Sequence, residues 1–132
     1  MLQTTDLEQL QMKIKIHVVS KYIQQQSNAA NNHFVFSYTI TIENTSTSAI
    51  QLISRHWLIC DANNKTEEVY GEGVVGEQPV ILPGHNYTYS SGSVLETEMG
   101  TMEGRYFMQS KENGEFEIAI PKFLLSIPRT LH

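Results

Sequence analysis

The stretch HFVFSYTITIE, residues 33–43, alternates without a break: Phe34, Phe36, Tyr38, Ile40 and Ile42 fall on one side, Val35, Ser37, Thr39 and Thr41 on the other. Successive side chains of an extended chain point to opposite faces, so this run gathers its aromatic and large aliphatic residues on one surface only as a strand. On a helix the same residues would scatter around the axis. The hydroxyl-rich opposite face predicts an antiparallel strand with one side wet.

The period recurs along the chain. In MKIKIHVVSKY, Ile14, Ile16 and Val18 oppose Lys13, Lys15 and His17. IQLISRHWLIC, residues 50–60, is apolar on both sides, with Leu52 and Leu58 against Ile53, Trp57 and Ile59, which predicts a central strand covered on both faces for part of its length. The polar ENTSTS, residues 43–48, reads as a loop and DANNK, residues 61–65, as a turn. TEEVY, PVIL, YTYSSGSVLE, MEGRYFMQS and EFEIAI follow, divided by turn signals at Pro83-Gly84, Met99-Gly100 and Asn113-Gly114. Asn-Gly is the strongest of these as a hairpin signal. Seven to nine such strands predict an all-β sandwich of two antiparallel sheets. Residues 12–132 are expected to form one domain and residues 1–11 a flexible arm, either loose or a frayed helical turn.

A chain of 132 residues buries enough surface to fold without a disulfide or a metal. Cys60 is the one cysteine, so no disulfide forms within the chain. No apolar run approaches the ~18 residues that span a membrane, and the start lacks an apolar stretch behind a basic head. A cytoplasmic protein with no membrane partner is expected. The net charge is -5 and the basic residues are scattered, so the basic stripe of a nucleic-acid binder is missing.

GEGVVG, residues 71–76, has the Gly-x-Gly-x-x-Gly spacing of a dinucleotide fingerprint. That fingerprint works by opening a helix whose N-terminus holds a pyrophosphate. Here EQPVILPGHN follows, with Pro79 and Pro83 barring a helix and Val80-Ile81-Leu82 reading as extended. Two uses remain for the glycines. Their amides could form a concave nest for an anion, or they supply positive φ where the chain crosses between sheets.

Other candidates are thinner. His56 and Cys60 share a strand face about 13 Å apart, too far for one metal. His17, His33, His85 and His132 are scattered. Glu67 with Glu68, Glu72 with Glu77 and Glu96 with Glu98 could attract a hard cation, or form a solvated acidic rim. Cys60, on an apolar strand, reads as a buried and inert thiol. Ser90-Ser91-Gly92 lacks the strand-to-helix elbow of a nucleophile. No catalytic constellation assembles. Trp57, Tyr70, Tyr87, Tyr89, Tyr106 and Phe107 stock both a core and an interface.

RHWLI, EVYGEGVVGEQPVILPGHNYTYSSG and ETEMGTMEGRYFM, with VFSYTITIEN upstream and IPKFLLSIPRTLH at the end, closely resemble the bacterial ApaG family over nearly everything after residue 12. The resemblance implies a fibronectin type III-like, or immunoglobulin-like, sandwich and no established enzymatic activity or cofactor. It implies links to cobalt tolerance and magnesium efflux, and a neighbourhood of genes for a dinucleoside tetraphosphatase and an RNA methyltransferase. Related domains in eukaryotic F-box proteins and a polymerase-interacting protein imply protein recognition. The expected function is therefore a non-catalytic module binding an unidentified protein partner through sandwich loops or an edge strand. The alternative is a pyrophosphate or nucleotide sensor using Gly71, Glu72, Gly73, Gly76 and Glu77, with Mg²⁺ or Co²⁺ bridging the carboxylates to the anion.

Overall fold

In the computed structural model, which describes residues 5–128, β1 (Ile14–Tyr22), β2 (Phe34–Asn44) and β6 (Asn86–Leu95) form one antiparallel sheet in the order β1-β2-β6. The second sheet runs β4 (Thr66–Glu72), β3 (Ile50–Asp61), β7 (Met99–Ser110) and β8 (Gly114–Ser126). The two-residue β5 (Val80–Ile81) pairs with the start of β3, on the side that β4 occupies further along. The two sheets face each other as the sandwich that the alternation predicts, in the fibronectin type III-like form that the family resemblance implies. β2 fulfils the expectation residue by residue: Phe34, Phe36, Tyr38, Ile40 and Ile42 are all buried. Tyr38 meets Trp57 of the other sheet at 5.4 Å between ring centroids, and Phe123 packs edge-on to Trp57 at 5.9 Å.

The double-sided apolar pattern of β3 has a cause that period-two reading does not anticipate. The strand is central, but a β-bulge at Ile53 shifts its register between Leu52 and Ser54. Ile50 and Leu52 face the core before the bulge; Trp57 and Ile59 face it after, with the parity reversed. Leu58 and Cys60 are left half-buried on the outer side. Cys60 is thus not the fully buried thiol expected; its Sγ lies 3.5 Å from the Asp61 carbonyl.

Of the two forms expected for the arm the structure shows the helical one, docked rather than frayed, and the position of one turn is corrected. The described part of the flexible arm is the helix α1 (Asp6–Met12), capped by the Thr5 hydroxyl, which accepts from the Glu8 amide at 3.1 Å. Leu10 on this helix is buried in the core. The turn placed at Met99-Gly100 lies at residues 96–98 instead, and Gly100 sits inside β7, where a Cβ would come within 2.5 Å of the Cys60 carbonyl oxygen. The other turns form as read. Asp61 Oδ1 accepts from the Asn63 and Lys65 amides at 2.8 and 2.9 Å, and Gly114 closes the β7–β8 hairpin with φ +73°.

Asn44, at the end of β2, is fully buried and fully bonded. Its Nδ2 donates to the carbonyls of Ser48 and Ile81, both at 2.9 Å, and its Oδ1 accepts from the Ser46 amide and hydroxyl. The His85 carbonyl accepts its N–H, and its own carbonyl accepts from Gly84. This one side chain ties the loop after β2 to the loop after β5.

Candidate functional site

The glycine stretch folds as a hairpin rather than as the opening of a helix. Val74 donates to the Glu77 carbonyl at 2.8 Å and Glu77 donates back to Val74 at 3.0 Å, so Val75 and Gly76 are the two central residues of a tight turn. Both have positive φ, +49° and +79°. That is the signature of a type I′ turn, whose usual sequence is Asn-Gly or Gly-Gly. A valine there is unusual, because its branched Cβ crowds the backbone in the left-handed region. Val75 is also 63% exposed, so the strained residue presents isopropyl to solvent while its neighbour Val74 anchors the hairpin in the core at 0%.

Beneath the tip, the β3 bulge aims the Ile53 carbonyl at the loop, where it accepts from the Gly73 amide at 2.7 Å and from Gln78 Nε2 at 2.9 Å. Arg55, facing inward on β3, reaches up with one terminal nitrogen to the carbonyls of Glu72 at 3.1 Å and Gly73 at 2.7 Å. Its guanidinium lies against Gly71, where a Cβ would come within 2.7 Å of it. At Gly73, φ is +60° and a Cβ would run into the Glu77 carbonyl oxygen. The third link is Tyr87 of the facing sheet, whose hydroxyl donates to Glu77 Oε2 at 2.9 Å. Burial, and then the hydrogen bond and charge of Glu77, raise the Tyr87 pKa above its usual value.

The five residues expected to form a ligand site are therefore brought together, each in a structural setting. Gly71 makes room for Arg55; Gly73 and Gly76 supply left-handed backbone; Glu77 binds Tyr87; Glu72 is exposed at the end of β4. Of the loop amides, those of Gly73, Val74 and Glu77 are committed to protein carbonyls. No helix follows Gly76; the chain passes through Pro79 into β5. Arg55, Ile53 and Val75 were not singled out from the sequence. A lone arginine on an apolar strand was the available signal for the first, since a half-buried guanidinium needs acceptors.

The remaining candidates are dispersed. His56 stacks on Tyr70 at 4.1 Å and stands 3.7 Å from Glu68, on the outer face of its sheet. His17 pairs with Glu43 at 3.1 Å and Lys65 with Glu96 at 3.2 Å. The Ser90 hydroxyl pairs with that of Thr39 on the outer face of the other sheet. Tyr89 and Tyr106 join the two sheets through a buried hydroxyl–hydroxyl bond, and burial raises the pKa of both. Phe107 is half-buried with the Arg105 guanidinium over its ring at 5.4 Å. Among the described residues no three His, Cys, Asp or Glu side chains gather as a metal site. His132 lies outside the described residues.

The family model described as DUF525, the ApaG domain, matches residues 24–110, which takes in this hairpin and all the strands that support it. The chain belongs to the ApaG family. Protein ApaG of Azoarcus sp. (strain BH72) is 49% identical over 120 residues, covering 91% of this chain and 94% of that protein. Protein ApaG of Thiobacillus denitrificans is 50% identical with the same coverage. A crystal structure of a Bordetella pertussis protein described as ApaA superposes with a TM-score of 0.86 at 42% identity, covering 89% of this chain and 95% of that one. The sandwich around the hairpin is thus the ApaG fold. No helix among the described residues is long and apolar enough to cross a membrane.

Proposed function

We propose that this ApaG-family chain is a non-catalytic interaction module that captures a protein partner with the tip of hairpin 72–77. The observation that carries the proposal is Val75. A β-branched residue in a left-handed turn costs about 1 kcal/mol or more, and an asparagine would remove that cost. Strain borne by an exposed apolar side chain is what a contact residue looks like before its partner arrives. Arg55, the Ile53 carbonyl and the Tyr87–Glu77 bond hold the tip rigid, which lowers the ordering cost of binding. Glu72 and Glu77 flank the tip and favour a partner with basic groups around an apolar pocket. On this reading, any part in cobalt tolerance or magnesium efflux runs through the captured protein.

A photo-crosslinking residue placed at position 75 tests this in lysate of the source organism, with position 37 on the polar outer face as control. A discrete cross-linked product from 75 and none from 37 is expected. Equal labelling from both positions would refute the tip as the contact.

The alternative, a pyrophosphate or nucleotide sensor, draws support from the Val75 and Gly76 amides, which point to no protein carbonyl among the described residues. Two amides beside two carboxylates hold an anion only if a divalent cation bridges them. An amide NMR titration with pyrophosphate, with and without Mg²⁺, decides it: saturable shifts at Gly73 and Gly76 that need Mg²⁺ would favour the sensor.

A further inference from the structure

Sheet edges invite pairing with other chains, and most edges here are blunted by some device. β8 has its carbonyls at Glu117 and Leu124 taken by Gln11 Nε2 at 2.8 Å and Ser20 Oγ at 2.9 Å, and it carries Pro121 beside a bulge. β1 bears Lys15, His17 and Lys21 and runs beside β8. β4 carries Glu67, Glu68 and Glu72. β6 differs from all three. From Asn86 to Leu95 it holds no charged residue and no proline, and it pairs with β2 on one side alone among the described strands. Tyr87, Thr88, Tyr89 and Val94 favour extended backbone, and Val94 is 52% exposed.

We infer that β6 pairs antiparallel with β6 of a second copy of this chain, about a two-fold axis, joining two β1-β2-β6 sheets into one. A two-fold axis sets a strand against itself, so a neutral edge meets a neutral edge. Charge then selects β6 over β4. The chain carries a net -5, and self-pairing of β4 would crowd Glu67, Glu68 and Glu72 of one copy close to the same three acids of the other, whereas β6 sets no like charges opposite one another. β4 lies on the same side of the sandwich as β6, as the Tyr87–Glu77 and Lys65–Glu96 links show. Its acids therefore approach their counterparts without touching, and salt that screens them strengthens the pairing. Thr88 and Ser90, already bonded to Thr41 and Thr39, carry the hydroxyl face across the junction. The pairing is independent of Val75 and of what the hairpin captures.

Directly opposed residues share a face in an antiparallel pair. With the axis near the middle of the strand, residue 90 falls opposite residue 90 or 92 of the copy. Sedimentation velocity of the full chain from about 10 µM to about 1 mM, at low and high salt, reads the association. A monomer–dimer shift that salt strengthens is expected. Ser90→Lys weakens it by at least about tenfold, and an equimolar mixture of Ser90→Lys and Ser90→Glu restores a heterodimer. Ser90 is exposed, and a thermal melt of each variant reports its fold. A chain monomeric throughout, a dimer that salt weakens, or a dimer that Ser90→Lys leaves intact would each overturn the inference.

Discussion

Two connections in this molecule, residues 44–49 and 72–77, solve the same problem in opposite ways. In the first, Asn44 turns every polar atom inward: its side chain and backbone meet six other backbone or hydroxyl groups, and no exposed apolar atom is needed. In the second, the supports are as well made, but the tip holds a valine where the turn asks for asparagine. The first loop is what a connection becomes when stability alone shapes it. The second gives up stability at one exposed residue, and the proposed contact role of the hairpin rests on that contrast.

The contrast can be broken by substitution. The largest expected effect is Asn44→Ala, which removes the side-chain donor from the Ile81 carbonyl and the acceptor of the Ser46 amide, leaves the Ser48 carbonyl with the Ser46 hydroxyl alone, and lowers stability by about 3 kcal/mol, read by urea unfolding. A loss under about 1 kcal/mol would mean the hub is ornamental. Gly73→Ala comes next, at about 2 kcal/mol, because its Cβ meets the Glu77 carbonyl and φ is +60°. NMR of this variant should show the Val74 and Glu77 amides disturbed while the Asn44 loop stays unchanged.

Tyr106→Phe is expected to cost about 1 kcal/mol near neutral pH, and it carries a pH signature. The hydroxyls of Tyr89 and Tyr106 have folded-state pKa values raised above the ordinary tyrosine value, chiefly by burial. Their contribution is therefore intact below about pH 10 and is lost as pH rises past it, by up to about 1.4 kcal/mol per pH unit for each group. Denaturant unfolding at stepped alkaline pH should show this slope in the wild type and a shallower one in Tyr106→Phe. The smallest change runs the other way. Val75→Asn should raise stability by about 1 kcal/mol, and an equal or lower melting temperature would remove the strain from the account.

The fold was open to sequence reasoning wherever one face of a strand is buried and the other wet. β2 reads directly, and Asn113-Gly114 announces its hairpin. β3 misled because the Ile53 bulge switches parity in mid-strand, which an alternation count records as two apolar faces. Met99-Gly100 misled because its glycine serves close strand packing rather than a turn. At the site, the glycines of 71–76 were visible and the missing helix was foreseen from Pro79. The hairpin was not, since its turn residues are Val75-Gly76, and a β-branched residue in the left-handed region contradicts every local rule for finding it. Arg55 was hidden for a similar reason. Its acceptors are backbone carbonyls about seventeen residues away, which leave no trace in residue type.

The most direct test measures stability and partner capture on the same Val75→Asn sample. The account predicts that the two move apart: a higher melting temperature than wild type, with partner capture lost when read by co-purification and no probe in the hairpin. A variant that is more stable and captures as well as wild type would show that Val75 is strained for no partner, and the hairpin would no longer be the working end.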